Sequence, residues 1–209
     1  MSGGRDTDNQ RKDNYMKIGV LAAQGAFAEH IAVLHQLEIE AVPVRLPAEL
    51  RGLDGLIIPG GESTTISRMM IAYDLMGEIS ALAARGMPLF GTCAGLILMS
   101  KHISGNTTKT LGLMDIRVKR NAFGRQIDSF ETELSIPVLG EKSFPAVFIR
   151  APFIEQADDN VEVLARLANG TIVAARQENL LVTAFHPELT GDSRLHRYFL
   201  DIVSGNLND

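Results

Sequence analysis

From Met16 onward, apolar residues come first as a short continuous run and then at helical spacing, and the alternation repeats. KIGVLAA has the length of a buried strand, and AFAEHIAVLHQL follows it with Phe27, Ile31, Leu34 and Leu37 on one helical face. EAVPVRL and GLIIPGG predict two further strands, the second ending at Pro59-Gly60-Gly61. SRMMIAYDL and GEISALAARG predict helices, and MPLFG another buried strand. Strands that alternate with helices form a parallel sheet covered on both sides. The expected class is therefore α/β: a three-layer, flavodoxin-like open sheet, mostly parallel, with helices on both faces.

The second half has a different rhythm. DIRVK, ETELSIPV, AVFIRAP, VEVLARL, TIVAARQ and LLVTAF follow one another as strand-like pieces between about 116 and 188, with a hairpin signal at Asn169-Gly170. These pieces either extend the main sheet or form a small antiparallel annex. Ser193 to Val203 closes the chain as a helix, with Leu195, Tyr198, Phe199 and Ile202 on one face. Residues 1–15 are polar and carry no periodic apolar positions, so a disordered leader is expected there and one domain over residues 16–209.

Composition narrows the function. A chain of 209 residues with 45% hydrophobic content and net charge −5 can bury a sizeable core, and it has no lysine/arginine block to follow phosphates or an anionic membrane. Neither nucleic acid nor a membrane is expected as partner. No run approaches the length of a membrane span, and no apolar signal core opens the chain, which points to a soluble cytoplasmic protein. One cysteine, Cys93, cannot form an internal disulfide, and no cluster of Cys and His at zinc spacing is present. No metal is expected.

Three segments carry possible chemistry. Gly91-Thr92-Cys93-Ala94-Gly95 frames the cysteine with glycines where a strand turns into a helix, the small-neighbour setting a projecting nucleophile needs. A lone cysteine is equally a common core residue. In Ala184-Phe185-His186-Pro187-Glu188, the proline favours extended geometry, which puts His186 and Glu188 on one side. That pair is either a loop with a surface carboxylate or a base with its orienter. Pro59-Gly60-Gly61-Glu62-Ser63-Thr64-Thr65 is either an ordinary strand-to-helix loop capped by Ser63 or half of an oxyanion hole, with the backbone N–H of Ala94 as the other half. Arg120 and Arg150 end strand-like runs, as salt-bridge partners or as holders of a substrate carboxylate. His30, His35, His102 and His196 have no motif beside them and are assigned to surface or packing roles, with His102 ending the helix after the cysteine.

PGGEST, GTCAG and HPE, in this order, resemble the three active-site segments of the class I, triad-type glutamine amidotransferase family. KIGVLAAQGAFAEH, FGTCAGLILM, RNAFGRQIDSFE and FIRAP resemble in particular the branch that serves pyridoxal 5′-phosphate synthase, with coverage from about Met16 to Gly205. The resemblance implies that Cys93 attacks the side-chain amide of L-glutamine to give a thioester and ammonia. It implies His186 as proton carrier, Glu188 as its orienter and the backbone of Gly61 and Ala94 as oxyanion hole. Glutamine would be bound by Gly61, Glu62, Ser63, Arg120, Ile149 and Arg150. It also implies a hetero-oligomeric partner, the synthase subunit of pyridoxal 5′-phosphate synthase, which receives the ammonia. Rival readings are a glutaminase for imidazole glycerol phosphate or purine synthesis, a non-catalytic regulatory subunit, and a cysteine peptidase of related fold.

Overall fold

The computed structural model describes residues 16–105, 107–120 and 129–207. The expected leader, 1–15, and most of RNAFGRQIDSFE lie outside the described residues. The chain runs β1 (Lys17–Leu21), α1 (Phe27–Gln36), β2 (Glu40–Val44), β3 (Gly55–Ile58), α2 (Ser63–Ala72), α3 (Leu75–Ala84), β4 (Leu89–Thr92) and α4 (Ala94–Met99). It continues as β5 (Ser100–Ser104), β6 (Met114–Lys119), β7 (Ser129–Leu134), β8 (Phe144–Ile149) and β9 (Phe153–Ala157). The last elements are β10 (Glu162–Arg166), β11 (Ile172–Gln177), β12 (Leu180–Thr183) and α5 (Arg194–Ser204).

Ten strands share one mixed sheet in the order β2-β1-β3-β4-β12-β11-β9-β6-β5, with β10 paired to β11. The five strands from β2 to β12 are mutually parallel, and the pairings of β11 with β12, β9 and β10 are antiparallel. β3 and β4 are buried at every position, as a strand covered on both faces must be. β2 contains Pro43, which an edge strand tolerates because one side of its ladder is unpaired.

Adjacent residues of β4 show the two covering layers, since consecutive side chains leave a strand on opposite faces. The Phe90 ring packs against His30 of α1 and against His196 and Phe199 of α5. At Gly91 the other face is so close to α4 that a Cβ would lie 2.7 Å from both Gly95 and the Met99 sulfur. The mostly parallel α/β class with helices on both faces is met.

The second-half strands do both things the sequence allowed. β6, β10, β11 and β12 extend the main sheet, whereas β7 and β8 form a separate two-stranded antiparallel sheet in register from Ser129↔Ile149 to Leu134↔Phe144. Phe130 and Phe148 stack within it at 4.5 Å. The β10–β11 hairpin turns at Asn169-Gly170, where Gly170 has φ +86° and the Asn169 side chain accepts from the Thr171 N–H.

Two expectations are corrected. The helix after the cysteine stops at Met99, and His102 lies in β5 at the far edge of the sheet. The carbonyls of Leu98 and Met99 accept from the N–H groups of Leu111 and Leu113, and the Ser100 hydroxyl takes the Ile97 carbonyl, so no further helical turn can form. The AVFIRAP strand also stops earlier than expected, and a further strand follows it. β8 ends at Ile149, Arg150 turns the chain with φ +43°, and β9 begins at Phe153.

Gly95 fixes how close α4 sits to β3: a Cβ there would lie 2.0 Å from the Ile58 carbonyl oxygen, inside a ladder that cannot yield. Gly95→Ala is expected to cost about 1–3 kcal/mol, read as a lower urea midpoint with an unchanged slope. An unchanged midpoint would contradict the close approach.

Candidate active site

Cys93 occupies the single residue between β4 and α4, with φ 49° and ψ −97°. Such backbone is costly for any residue with a Cβ and persists only where the surroundings hold it. Here the Cys93 N–H donates to the Thr183 carbonyl of β12 at 2.8 Å, and glycines on either side allow α4 to fold back over β4. The sulfur, largely buried, lies 3.9 Å from the Ile149 carbonyl oxygen.

His186 arrives from the neighbouring strand. β12 lies beside β4 with Thr183 opposite Thr92, and three residues later the His186 backbone N–H donates to the Val147 carbonyl of β8 at 2.8 Å. The proline then starts a 3-10 turn, Pro187–Leu189, which brings the Glu188 carboxylate back to its own histidine: Oε1 lies 2.7 Å from Nδ1. An ionised carboxylate only accepts, so the Nδ1 proton donates to it and Nε2 is left for the Cys93 sulfur. Burial alone would push the His186 imidazole down, but its hydrogen bonds to Cys93 and Glu188 raise it from the ordinary 6.5 to about 10.

Gly60 lies directly against this ring. A Cβ at 60 would come within 2.3 Å of the imidazole Cε1, and a Cβ at Gly25 within 1.8 Å of the Gly60 oxygen, so the Gly25 loop is pressed on the Gly60 loop and that loop on His186. Gly61, Glu62, Ser63, Ala94, Arg120, Ile149 and Arg150 line, with Cys93 and His186, one cleft of about 370 Å³. Ala26, Ile97, Pro152 and Leu189 complete its walls, and these the sequence reading did not single out. Glu188 stands behind His186, away from the opening.

The loop before α2 differs in one detail from the expectation. The cap is Glu62, not Ser63: its carboxylate accepts from the Thr64 and Thr65 N–H groups at 3.0 and 2.7 Å and from the Thr65 hydroxyl. Ser63 is already the first helical residue, so the capping position falls to Glu62. Burial works against its charge, yet the hydrogen bonds from Thr65 and Thr64 bring Glu62 down to about 2. Ser63 begins the helix, and its buried hydroxyl, at the cleft, has no partner among the described residues. Arg120 both pairs with Glu62 and donates to Thr64, each at 3.2 Å, while facing the cleft. Arg150 is exposed there and makes no ion pair among the described residues.

Sequence reasoning also missed a buried polar group behind Glu188. His30, assigned to surface or packing, is fully buried with Nε2 3.4 Å from Glu188 Oε2 and 3.2 Å from Thr92 Oγ1. His196 of α5, equally buried, reaches His30 Nδ1 at 3.0 Å. The available signal was position: His30 shares the inward face of α1 with Val33 and Leu34, as His196 does with Phe199 in α5. His35 and His102 are exposed, as surface roles require.

A thiol, an imidazole and a carboxylate joined in that order beside a cleft can attack an acyl carbon, pass its proton to a leaving group and repeat the cycle with water. Three comparisons bear on the family. Residues 20–204 match the model of the SNO glutamine amidotransferase family. The chain is similar to the pyridoxal 5′-phosphate synthase subunit PdxT of Dehalococcoides mccartyi strain 195, 57% identical over 90% of this chain and 97% of that protein. Its counterpart in Herpetosiphon aurantiacus is 56% identical over 90% of this chain and all of that protein. A crystal structure described as a glutamine amidotransferase superimposes with TM-score 0.85 at 48% identity, covering 90% of this chain and 98% of that one.

The raised His186 makes a pH prediction. Its charged form stabilises the fold fully below the ordinary value of 6.5, and that contribution is lost as pH rises through about 10. The stability difference between wild type and His186→Gln, measured by urea unfolding, should therefore shrink between about pH 7 and about pH 10.5. A difference that stays constant would contradict the charged pair.

Proposed function

The chain belongs to the SNO glutamine amidotransferase family, and on that footing we infer that it is the glutamine-hydrolysing subunit of a pyridoxal 5′-phosphate synthase. The observation that supports this best is the continuous Cys93–His186–Glu188 chain opening on a cleft that holds two guanidinium groups and a hydroxyl without a partner among the described residues.

In this reading the Cys93 thiolate adds to the carboxamide carbon of L-glutamine, and the charge that develops on oxygen is met by the backbone N–H groups of Gly61 and Ala94. His186 then gives its Nε2 proton to the departing nitrogen. The C–N bond breaks, ammonia leaves, and a thioester joins the substrate to Cys93. Neutral His186 next takes a proton from water as the hydroxyl oxygen adds to the thioester carbon. Collapse of that second intermediate breaks the C–S bond and yields glutamate and the free cysteine. Glu188 holds the imidazole in the orientation both halves need.

Glutamine binding is assigned to the loop Gly61-Glu62-Ser63, to Arg120, and to the pair Ile149-Arg150. Arg150, without an ion-pair partner among the described residues, suits the substrate α-carboxylate. The positive φ of Arg150 turns its side chain away from the strand line and toward the cleft rim. Ammonia is mostly protonated in neutral water and then cannot act as a nucleophile, so a direct hand-over to a docked synthase subunit is the natural consumer. The proposed setting is the cytoplasm, where a lone thiol stays reduced; among the described residues no helix is long and apolar enough to cross a membrane. Residues 16–209 would form the one glutaminase domain, without a cofactor of its own.

A glutaminase serving imidazole glycerol phosphate or purine synthesis would share the same three residues and differ in its partner. The names carried by relatives at 55–57% identity favour the pyridoxal phosphate pathway. Reconstitution with the synthase subunit tests the assignment. With glutamine carrying ¹⁵N in its amide, and unlabelled ammonium present, the pyridoxal phosphate formed should contain ¹⁵N. Cys93→Ala should lower glutamine-dependent synthesis by about 10³-fold or more while ammonium-dependent synthesis continues. Full glutamine-dependent activity in Cys93→Ala would falsify the nucleophile.

A further inference from the structure

The triad leaves one carboxylate oxygen unused. Glu188 Oε1 holds His186, but Oε2 is buried with no hydrogen bond among the described residues, and His30 Nε2 stands 3.4 Å from it. A buried charge with an open lone pair is costly unless a donor or dipole faces it. The direction of the His30 dipole is therefore the question.

Two tautomer assignments are open to the buried chain Glu188, His30, His196. If His30 carried its proton on Nδ1, a nitrogen lone pair would face the carboxylate at 3.4 Å. His196 would then have to accept at Nε2, and its Nδ1–H, which has no partner among the described residues, would be a buried orphan donor. In the reverse assignment both imidazole N–H groups have an acceptor and the carboxylate no longer faces a lone pair, while the Thr92 hydroxyl, now an acceptor, keeps a rotatable proton. His196 Nε2–H donates to His30 Nδ1 at 3.0 Å, and His30 Nε2–H points to the Thr92 hydroxyl at 3.2 Å with its positive end beside Glu188 Oε2. Of the imidazole nitrogens, His196 Nδ1 is then left with an unmatched lone pair among the described residues.

We propose that His30, held in its Nε2–H form by His196, is a positioning residue: its N–H dipole faces the inner oxygen of Glu188 and limits how tightly that carboxylate holds the Nδ1 proton of His186. This rests on the triad reading above. The titratable groups facing His30 are His196 from α5 and Glu188 and His186 from the Pro187–Leu189 turn, with Cys93 beyond His186. β4 offers only the Thr92 hydroxyl and the Phe90 ring. Burial, followed by the neighbouring imidazoles, keeps His30 well below the ordinary histidine range, and burial takes His196 to about 4. Both rings therefore act as neutral dipoles near neutral pH.

The sign of the effect follows from acceptor strength. A carboxylate facing fewer donors is more basic, so without His30 it draws the shared proton closer and makes His186 a poorer acid toward the leaving nitrogen. Two arms test this. In the full-length chain labelled with ¹⁵N-histidine, NMR at neutral pH should find His30 and His196 neutral and both protonated on Nε2; an Nδ1-protonated His30 would overturn the proposal, with no variant needed. In the complex with its synthase subunit, His30→Phe should lower kcat for glutamine hydrolysis about tenfold to hundredfold, as for loss of a polar contact to a buried charge, with KM within about twofold. The His186 Nδ1 proton resonance should move downfield in this variant. His30→Gln, which returns an N–H near the same place, should recover most of the lost rate and the original resonance. A structural role alone would reduce the active fraction and leave that resonance where it was, an outcome that would overturn the inference while the triad stood. A wild-type complex that hydrolyses no glutamine would remove the triad reading and this inference together.

Discussion

The site depends on one strand pairing. Parallel β4 and β12 place Thr92 beside Thr183, and the Cys93 N–H takes the Thr183 carbonyl as the next bond after the ladder ends. This single alignment brings together residues that lie 93 positions apart in sequence, Cys93 just past one strand and His186 just past the other. It also holds the φ of +49° at Cys93 that points the thiol away from the core. A slip of one register would send every side chain of β12 to the opposite face of the sheet and separate the two.

Around that pairing, close backbone packing and buried charge are balanced. Gly25, Gly60, Gly91 and Gly95 each stand where a Cβ would meet another atom at under 3 Å, so the loops and α4 close on the cysteine and histidine with no side chain between them. The exclusion of water strengthens each interaction inside but penalises each charge. His186 shows the outcome: burial pulls its proton affinity down, while the hydrogen bonds to Cys93 and Glu188 outweigh it. At the cleft mouth, Glu62 joins the end of α2 to Arg120, so the loop beside the cysteine and the strand end opposite are tied by one ion pair.

Much of this was legible in the sequence because its signals are local. Short apolar runs followed by helical spacing marked β1, α1, β3, α2, α3 and β4, and glycines around Cys93 marked the turn. The failures have physical reasons. β5 was read as helix because Leu96, Ile97, Leu98 and Met99 continue into Ser100 without a breaker. The stop comes from the N–H groups of Leu111 and Leu113, which local pattern does not reveal. β9 was not picked out, because Phe153–Ala157 carries too few apolar positions to stand out and the turn at Arg150, whose positive φ has no glycine to announce it, hides the new start. His30 and His196 looked like isolated histidines because their partners lie 62 or more residues away, on β4 and on each other's helices. The match of Cys93 to His186, equally distant, was readable only because each sits in a compact motif.

The central claim is that Cys93 is a nucleophile activated by His186. The most direct measurement is to treat the chain, with its synthase subunit present, with the glutamine analogue 6-diazo-5-oxo-L-norleucine and to locate the adduct by peptide mass spectrometry. The account predicts one adduct, on Cys93, formed much more slowly in His186→Gln. An adduct on another residue, or none in the presence of the partner, would contradict it.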